Sequence, residues 1–336
     1  MKFSILLIRL RSIGDILFTL PAVHAVREAF HDARITFLTF KQNAPLIEGF
    51  REVDETIVLD PARYRSGNPI AIVSDTFGLT RRLRAGRFSL AVDFQGYGET
   101  AWLTWLSGAR QRWGNVYSRG RRWAYTRALT HNSLIHPVDW NLSLLSQCGV
   151  GPAKVLNEFA LPDPALEEAR GVFKAQGLNP AKPTLYIQPL TSFEPKNWPL
   201  ERHLAVARHW RGRGMQILFG GGAGDRSALE AARLAGFPVA AGNPLLVTAG
   251  VMKLSSLSLG GDTGMLHLAT AMDKRVLMIM GAVHTGHAYP FQHPDWAITP
   301  SAGKPVSSIA TEAVIEASAR AFAESDLNTA ALPKIN

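Results

Sequence analysis

Short apolar runs alternate with longer amphipathic stretches through both halves of the chain. This is the pattern of parallel sheets covered on both faces by helices. In the first half, strands are expected near residues 3–8, 34–39, 56–59 and 90–93. Residues 16–30 predict a helix: Leu17, Leu20, Val23 and Val26 recur at helical spacing, and Pro21 falls in the early turns, where proline is tolerated. In the second half, residues 184–188, 215–219, 257–260 and 275–280 read as strands, with helices over 200–212, 227–235 and 264–272.

The chain has 336 residues, enough for two domains at about 150 residues each. The division is expected near 155–183, where Pro162, Pro164, Pro180 and Pro183 surround one polar helical stretch over 165–176. We therefore expect an α/β protein with domains over 1–160 and 161–325 and a cleft between them. In open parallel sheets, ligands bind beyond the carboxyl ends of the strands, so chemistry is sought in the loops that follow strands.

Charge and cysteine content narrow the classes. The single cysteine, Cys148, cannot pair within the chain and offers no thiolate metal cage, so a cytosolic setting is expected. The apolar run at residues 3–8 is interrupted by Arg9, Arg11 and Asp15 before a signal-peptide core or membrane span could form, and reads as a buried strand. The net charge of +9 is uneven, with 20 Lys and Arg against 13 Asp and Glu over residues 1–160, and 16 against 14 in the remainder. No acidic residue lies between Glu99 and Asp139, while six arginines from Arg110 to Arg127 fall among Trp113, Tyr117, Trp123 and Tyr125. Such a stretch should attract a polyanion.

Four strand-end loops could carry chemistry. In Arg11-Ser12-Ile13-Gly14-Asp15, a carboxylate follows the first strand; its structural alternative is to cap a helix starting at Ile16. In the loop over residues 191–199, Thr191, Ser192 and Lys196 bring hydroxyls and an ammonium to a strand end, suited to a diphosphate leaving group, although a single lysine is more commonly just solvated. The loop over 260–267 runs from a strand into an apolar helix. There Gly261 and Gly264 permit close approach of a phosphate to helix-start N–H groups, while Asp262 or Thr263 could serve as N-cap and His267 could be a core histidine. Gly220 to Gly222 read as turn glycines, with Asp225 placed to accept from ribose hydroxyls.

Several chemistries find no support. There is neither a G-x-G-x-x-G after the first strand nor a P-loop, which argues against a dehydrogenase or an NTPase. His284, His287 and His293 lack a nearby cysteine or acidic ligand before Asp295, so no metal site is expected, and no D-x-D triplet is present to mount a divalent ion.

Taken together, R-S-I-G-D at 11–15, D-F-Q-G at 93–96, T-S-F-E-P-K-N-W-P at 191–199 and G-D-T-G-M-L-H-L-A at 261–269 resemble glycosyltransferase family 9, the lipopolysaccharide heptosyltransferases, in content, order and spacing. The resemblance implies a GT-B fold: two Rossmann-like doubly wound parallel-sheet domains facing a central cleft, acceptor in the first and nucleotide sugar in the second. A C-terminal helix, here residues 310–322, would return to the first domain. It implies Asp15 as catalytic base and Lys196 as the phosphate-binding lysine. Asp262, Thr263, Gly264 and His267, with Gly261, would form the donor diphosphate loop, and Thr191, Ser192 and Asp225 would add donor contacts. On the acceptor side it implies Ser12, Gly14 and Gln95, joined by Arg121 and Arg122 of the basic stretch, which no motif assigns individually. One departure is the sequence from Gly281 to Thr285, which reads G-A-V-H-T where many members carry G-P-T.

The implied reaction is an inverting, metal-independent transfer of heptose from an ADP-sugar to the lipopolysaccharide inner core. No resident cofactor is needed, the acceptor is an anionic glycolipid, and the enzyme would be cytoplasmic, touching the inner face of the inner membrane. Two other readings compete: a nucleotide-sugar epimerase of similar architecture, which needs no acceptor, and a non-enzymatic polyanion-binding module, which would leave the strand-end loops without a purpose. Nucleic acid is not expected as a partner.

Overall fold

The computed structural model describes residues 3–64, 69–281 and 288–326. It divides into two compact units between Ala160 and Leu161. Each unit is built on a six-stranded, wholly parallel sheet.

In the first unit the strands are β1 (Ser4–Ile8), β2 (Arg34–Phe40), β3 (Glu55–Leu59), β4 (Leu90–Asp93), β5 (Gln111–Val116) and β6 (Arg127–Thr130). Its helices are α1 (Ile13–Leu17), α2 (Leu20–Ala29), α3 (Ala44–Ile47), α4 (Pro61–Tyr64), α5 (Pro69–Ala85), α6 (Gly98–Leu106) and α7 (Pro137–Gln147). The order β3-β2-β1-β4-β5-β6 is that of a doubly wound dinucleotide-type sheet. All five residues of β1 are buried, as a central strand covered on both faces requires. One apolar layer joins Leu6, Ile8 and Leu38 of the sheet to Leu83 of α5 and Leu103 of α6.

The helix expected over 16–30 is two helices. The first begins earlier, at Ile13, and the chain breaks at Phe18 and Thr19, where the Thr19 hydroxyl donates to the Ile16 carbonyl at 2.6 Å and Pro21 opens α2. Such a hydroxyl-to-carbonyl bond competes with the helix ladder.

The second unit repeats the plan with β7 (Thr184–Gln188), β8 (Gln216–Gly221), β9 (Val239–Ala241), β10 (Leu257–Gly261), β11 (Val276–Ile279) and β12 (Ala297–Ile298), in the order β12-β11-β10-β7-β8-β9. Its helices are α8 (Asp163–Ala175), α9 (Leu200–Arg211), α10 (Glu230–Leu234), α11 (Leu245–Leu254), α12 (Gly264–Ala271) and α13 (Thr311–Asp326). Strand for strand, this is the order of the first sheet. Helix α11 is buried along most of its length against α8; Gly250 makes this possible, since a Cβ there would lie 2.7 Å from Ala169 Cβ and 2.8 Å from the Ala165 carbonyl oxygen.

The C-terminal helix α13 falls within the second unit, as the expected bounds 161–325 have it, and packs on α9 and β11. Trp210 of α9 donates its indole N–H to Ser318 Oγ at 2.8 Å and meets Phe322 edge to face at 4.7 Å. Two partly apolar helix faces are thereby buried together, which fixes where α13 lies. Among the described residues, no helix is long and apolar enough to cross a membrane.

Candidate active site

In a doubly wound sheet the strand order reverses between the first and fourth strands, and the loops leaving those two strands diverge to open a crevice. Here the pairs are β1 with β4, whose ends align as Ile8 beside Asp93, and β7 with β10, aligned as Gln188 beside Gly260. All four of the long motifs found in the sequence emerge at these two points.

At the first, Asp15 is the third residue of α1, not its N-cap; Ser12 occupies that position, and no side-chain cap bond is made. Arg9 Nη2 lies 2.7 Å from Asp15 Oδ2, and the Ser12 hydroxyl donates to the same oxygen at 3.1 Å. Arg9 is only 8% exposed, whereas the Asp15 side chain is 39% exposed. The guanidinium is fixed from behind, donating through Nη1 to the Phe94 carbonyl at 2.6 Å and through Nε to the Arg11 carbonyl at 3.1 Å. Asp15 Oδ1 carries none of these contacts. Arg9 was not singled out in the sequence, because its role depends on the end of β4 lying beside the end of β1.

The D-F-Q-G segment works beneath that loop. Asp93 is fully buried; its Oδ1 accepts from the Gln95 and Gly96 N–H groups at 2.8 and 3.0 Å, and its Oδ2 accepts from the Tyr125 hydroxyl at 2.6 Å. Burial raises the Asp93 pKa, opposed by the Tyr125, Gly96 and Gln95 hydrogen bonds. Gly96 has φ +71°, and a Cβ there would stand 1.9 Å from the Asn115 carbonyl oxygen, so only glycine closes this turn.

Gln95, expected on the acceptor side, has a fully buried side chain: Oε1 accepts from the Leu10 and Arg11 N–H groups at 2.9 and 3.3 Å, and Nε2 donates to Glu99 at 3.1 Å. It braces the backbone that carries Asp15. Ser12 is exposed, whereas Gly14 is buried within α1.

The basic stretch also differentiates. Arg112 is consumed internally, donating to the Ala124 and Ala109 carbonyls, both at 2.7 Å. Arg121 donates to the Gly96 carbonyl at 2.9 Å and lies 6.0 Å from the Tyr97 ring centre, which ties it to the β4 turn, while Arg122 is exposed. Tyr97 and Tyr117 meet at 5.3 Å, and Tyr117 stacks on His131 at 4.3 Å. Burial raises the Tyr117 pKa; the Arg9 charge opposes this and Asp15 adds to it, so this aromatic shelf shares the electrostatic surroundings of Asp15. The sequence marks Tyr117 only as one aromatic of the basic stretch and gives no sign that Tyr97 meets it, since the two lie on separate loops.

At the second switch point, Lys196 Nζ lies 2.6 Å from Asp262 Oδ2, and His267 Nε2 is 3.3 Å from Asp262 Oδ1. Burial raises the Asp262 pKa, but hydrogen bonds and charges from His267 and Lys196 outweigh it and hold the carboxyl at about 2. Thr263 is the N-cap of α12, yet no side-chain cap bond is made and its Oγ1 is a buried hydroxyl without a partner among the described residues. The α12 N-terminus therefore presents helix-start N–H groups that no side chain caps, an arrangement suited to an anion. Gly261 lets Thr191 approach: a Cβ at Gly261 would lie 2.5 Å from Thr191 Cγ2.

The rest of the T-S-F-E-P-K-N-W-P loop holds Lys196 in place. Asn197 Oδ1 accepts from the Thr191 N–H at 2.8 Å, the Thr191 hydroxyl donates to the Phe193 carbonyl at 2.8 Å, and the buried Trp198 donates to the Ile309 carbonyl at 2.9 Å. Ser192 is exposed on this loop. Asp225, after β8, accepts from the Gly222 N–H at 2.7 Å and closes the glycine turn. His293 stacks on Trp296 at 3.6 Å; residues 282–287, with His284 and His287, lie outside the described residues.

The sequence matches the family model of glycosyltransferase family 9 (heptosyltransferase) over residues 76–305, more than half of the chain. It is 22% identical over 293 residues to lipopolysaccharide heptosyltransferase 3 of Escherichia coli K12, covering 82% of this chain and 81% of that protein. It is 25% identical over 288 residues to lipopolysaccharide heptosyltransferase 1 of Pseudomonas aeruginosa, covering 84% and 79%. Among solved structures, the family 9 glycosyl transferase of Veillonella parvula superposes with a TM-score of 0.84 at 21% identity, covering 96% of this chain and 98% of that one. Escherichia coli heptosyltransferase WaaC with ADP-2-deoxy-2-fluoro heptose gives 0.76 at 20%, covering 95% and 99%. An epimerase-type structure from Listeria monocytogenes, described as a UDP-N-acetylglucosamine 2-epimerase, reaches only 0.55 at 13%, covering 97% and 90%. With four family motifs at the two switch points of paired GT-B sheets and the family model spanning most of the chain, this protein belongs to glycosyltransferase family 9, the heptosyltransferases.

Proposed function

We propose that the enzyme transfers a heptose from ADP-heptose to an anionic inner-core acceptor of lipopolysaccharide, inverting the anomeric configuration, at the cytoplasmic face of the inner membrane. The observation that carries this reading is the division of labour between the two switch points. One presents a carboxylate held by a buried arginine; the other presents a lysine, a histidine and an uncapped helix start suited to a diphosphate.

In this mechanism Asp15 Oδ1 takes the proton of the acceptor hydroxyl as its oxygen attacks the anomeric carbon. Arg9 and Ser12 hold Oδ2, so the carboxylate is presented in one orientation. The new glycosidic C–O bond forms as the bond from the anomeric carbon to the diphosphate breaks, and that electron pair leaves on the diphosphate oxygen. Lys196 and the α12 N–H groups receive the charge, with His267 and the Thr263 hydroxyl as further hydrogen-bonding partners. Asp262 acts chiefly by positioning Lys196 and His267. Asp225 accepts from the ribose, and Thr191 and Ser192 line the same side. Ser12, Arg121, Arg122 and the Tyr97–Tyr117 shelf face the acceptor. Charge stabilisation by these side chains and backbone groups needs neither a divalent ion nor a resident cofactor.

The ADP-heptose named for WaaC's bound analogue and the lipopolysaccharide named for the two relatives support this substrate pair over the epimerase reading. Incubation with a panel of nucleotide sugars, with and without a heptose-free lipid acceptor, tests it. Glycosylated acceptor and stoichiometric ADP from ADP-heptose are expected; an epimerised nucleotide sugar formed without acceptor would favour the alternative.

A further inference from the structure

Trp102 and Trp105 of α6 and Trp123 of the 3-10 turn before β6 are 55%, 43% and 47% exposed. They form one cluster, with ring centres of Trp102 and Trp123 4.7 Å apart, Trp102 and Trp105 5.7 Å, and Trp105 and Trp123 6.2 Å, all edge to face. Three large indoles left in water and in contact with one another are an apolar surface that a soluble domain ordinarily buries. None of them takes part in the site at β1 and β4.

Their surroundings identify the partner. The turn that carries Trp123 also carries the exposed Arg119 and Arg122, and Arg110 is exposed just before β5. No Asp or Glu occurs between Glu99 and Asp139, and the nearer of these, Glu99, is ion-paired to Arg11. Helix α5 is tied to α6 by Arg84, which donates to the Leu106 carbonyl at 2.7 Å. On α5, Val73 and Phe77 are 68% and 71% exposed one helical turn apart, and Arg81 follows at the next turn. Indoles mixed with arginines, with the Glu99 carboxylate of α6 neutralised by Arg11, match the water–lipid boundary of an anionic bilayer: tryptophan settles at headgroup level, and each basic residue near the surface adds attraction. A sugar-stacking platform would instead offer a flat ring face, which edge-to-face packing of the three rings does not favour.

We infer that the Trp102–Trp105–Trp123 cluster, with Arg119 and Arg110, docks the first unit onto an anionic phospholipid bilayer. For its purpose, bringing the enzyme to a membrane-embedded acceptor, this rests on the proposed lipopolysaccharide reaction; the chemistry of the surface stands apart from it.

The test is sedimentation of the full chain with vesicles of phosphatidylcholine alone or mixed with phosphatidylglycerol. The protein should partition onto the anionic vesicles and be released by salt. Replacing the three tryptophans by alanine should cut partitioning by about tenfold or more, and Arg119→Gln by about fivefold. Single Trp→Phe variants read by brominated-lipid quenching give the same answer without removing three indoles at once. The quenched share of fluorescence should fall for positions 102, 105 and 123 and should not fall for the buried Trp198. Absence of wild-type partitioning, equal partitioning of the triple variant, or a cluster that responds to a water-soluble acceptor glycan but not to vesicles would overturn the inference. A parallel assay on a deacylated, water-soluble acceptor separates the two proposals: the triple variant keeps turnover there, and failure of the wild type there counts against the proposed reaction alone.

Discussion

Lys196 Nζ lies 2.6 Å from Asp262 Oδ2, although the two residues are 66 positions apart in the chain. The pairing exists because β7 and β10 are neighbours in the second sheet, so the loops that follow them leave from adjacent strand ends. Asp262 also meets His267 one turn into α12. One carboxylate thus sets the position of two groups that the proposed reaction needs at the diphosphate.

This pairing predicts a pH-dependent loss of stability. The Asp262 pKa is depressed to about 2 in the folded protein, so its contribution is fully present above the unfolded value near 4 and disappears as pH falls toward 2. Asp262→Asn should therefore be less stable than wild type at neutral pH by on the order of 2 kcal/mol. The gap should narrow between pH 4 and pH 2 on the scale of these values. Urea unfolding of both proteins across that range measures it; a gap independent of pH would show that Asp262 is not held by charge.

The close approach at Gly261 predicts a rescue. Gly261→Ala drives a methyl to 2.5 Å from Thr191 Cγ2 and should cost about 1–3 kcal/mol of stability, with weaker donor binding. Thr191→Ser removes that Cγ2 while keeping the hydroxyl bonded to Phe193. The double variant should therefore recover most of the loss. Additive effects in calorimetry and nucleotide titration would place the strain elsewhere.

Gln95 should behave as a brace and not as an acceptor contact. Gln95→Ala strips the acceptor oxygen from the buried Leu10 N–H and the part-buried Arg11 N–H and should destabilise the protein by about 1–3 kcal/mol. Turnover should fall while KM for the donor changes little, because the affected loop carries Asp15. A selective rise in acceptor KM at unchanged stability would restore the acceptor-contact role.

Removing divalent ions should leave the reaction intact if leaving-group charge is met by Lys196 and the α12 N-terminus. Turnover in a chelator is expected to match the untreated enzyme, whereas Lys196→Gln should reduce it by about 100-fold or more. Chelator-sensitive turnover restored by one added cation would contradict this electrostatic role.

Much of this arrangement is readable in the amino-acid sequence, for identifiable reasons. Central parallel strands carry apolar runs, so residues 5–8 stand out, and the loops that follow such runs are where glycine, carboxylate and lysine gather. What escapes depends on strand order. Arg9 looks like one surface arginine among many until β4 brings the Phe94 carbonyl to it, and Gln95 looks like a ligand until the backbone of residues 10 and 11 is seen above it. Arg112 hides within β5 because its guanidinium is met by the Ala124 and Ala109 carbonyls. The tryptophan cluster joins a helix to a turn 18 residues later, a proximity that hydrophobic periodicity does not encode.

The central claim is that Asp15 removes the acceptor proton, and Asp15→Asn tests it most directly because the amide keeps the size of the side chain and loses the base. Single-turnover transfer from ADP-heptose and, separately, ADP-heptose affinity should be measured for both proteins. The account predicts transfer slowed by about 100- to 10,000-fold with donor affinity nearly unchanged. Transfer at close to the wild-type rate, or a loss explained wholly by weaker donor binding, would contradict it.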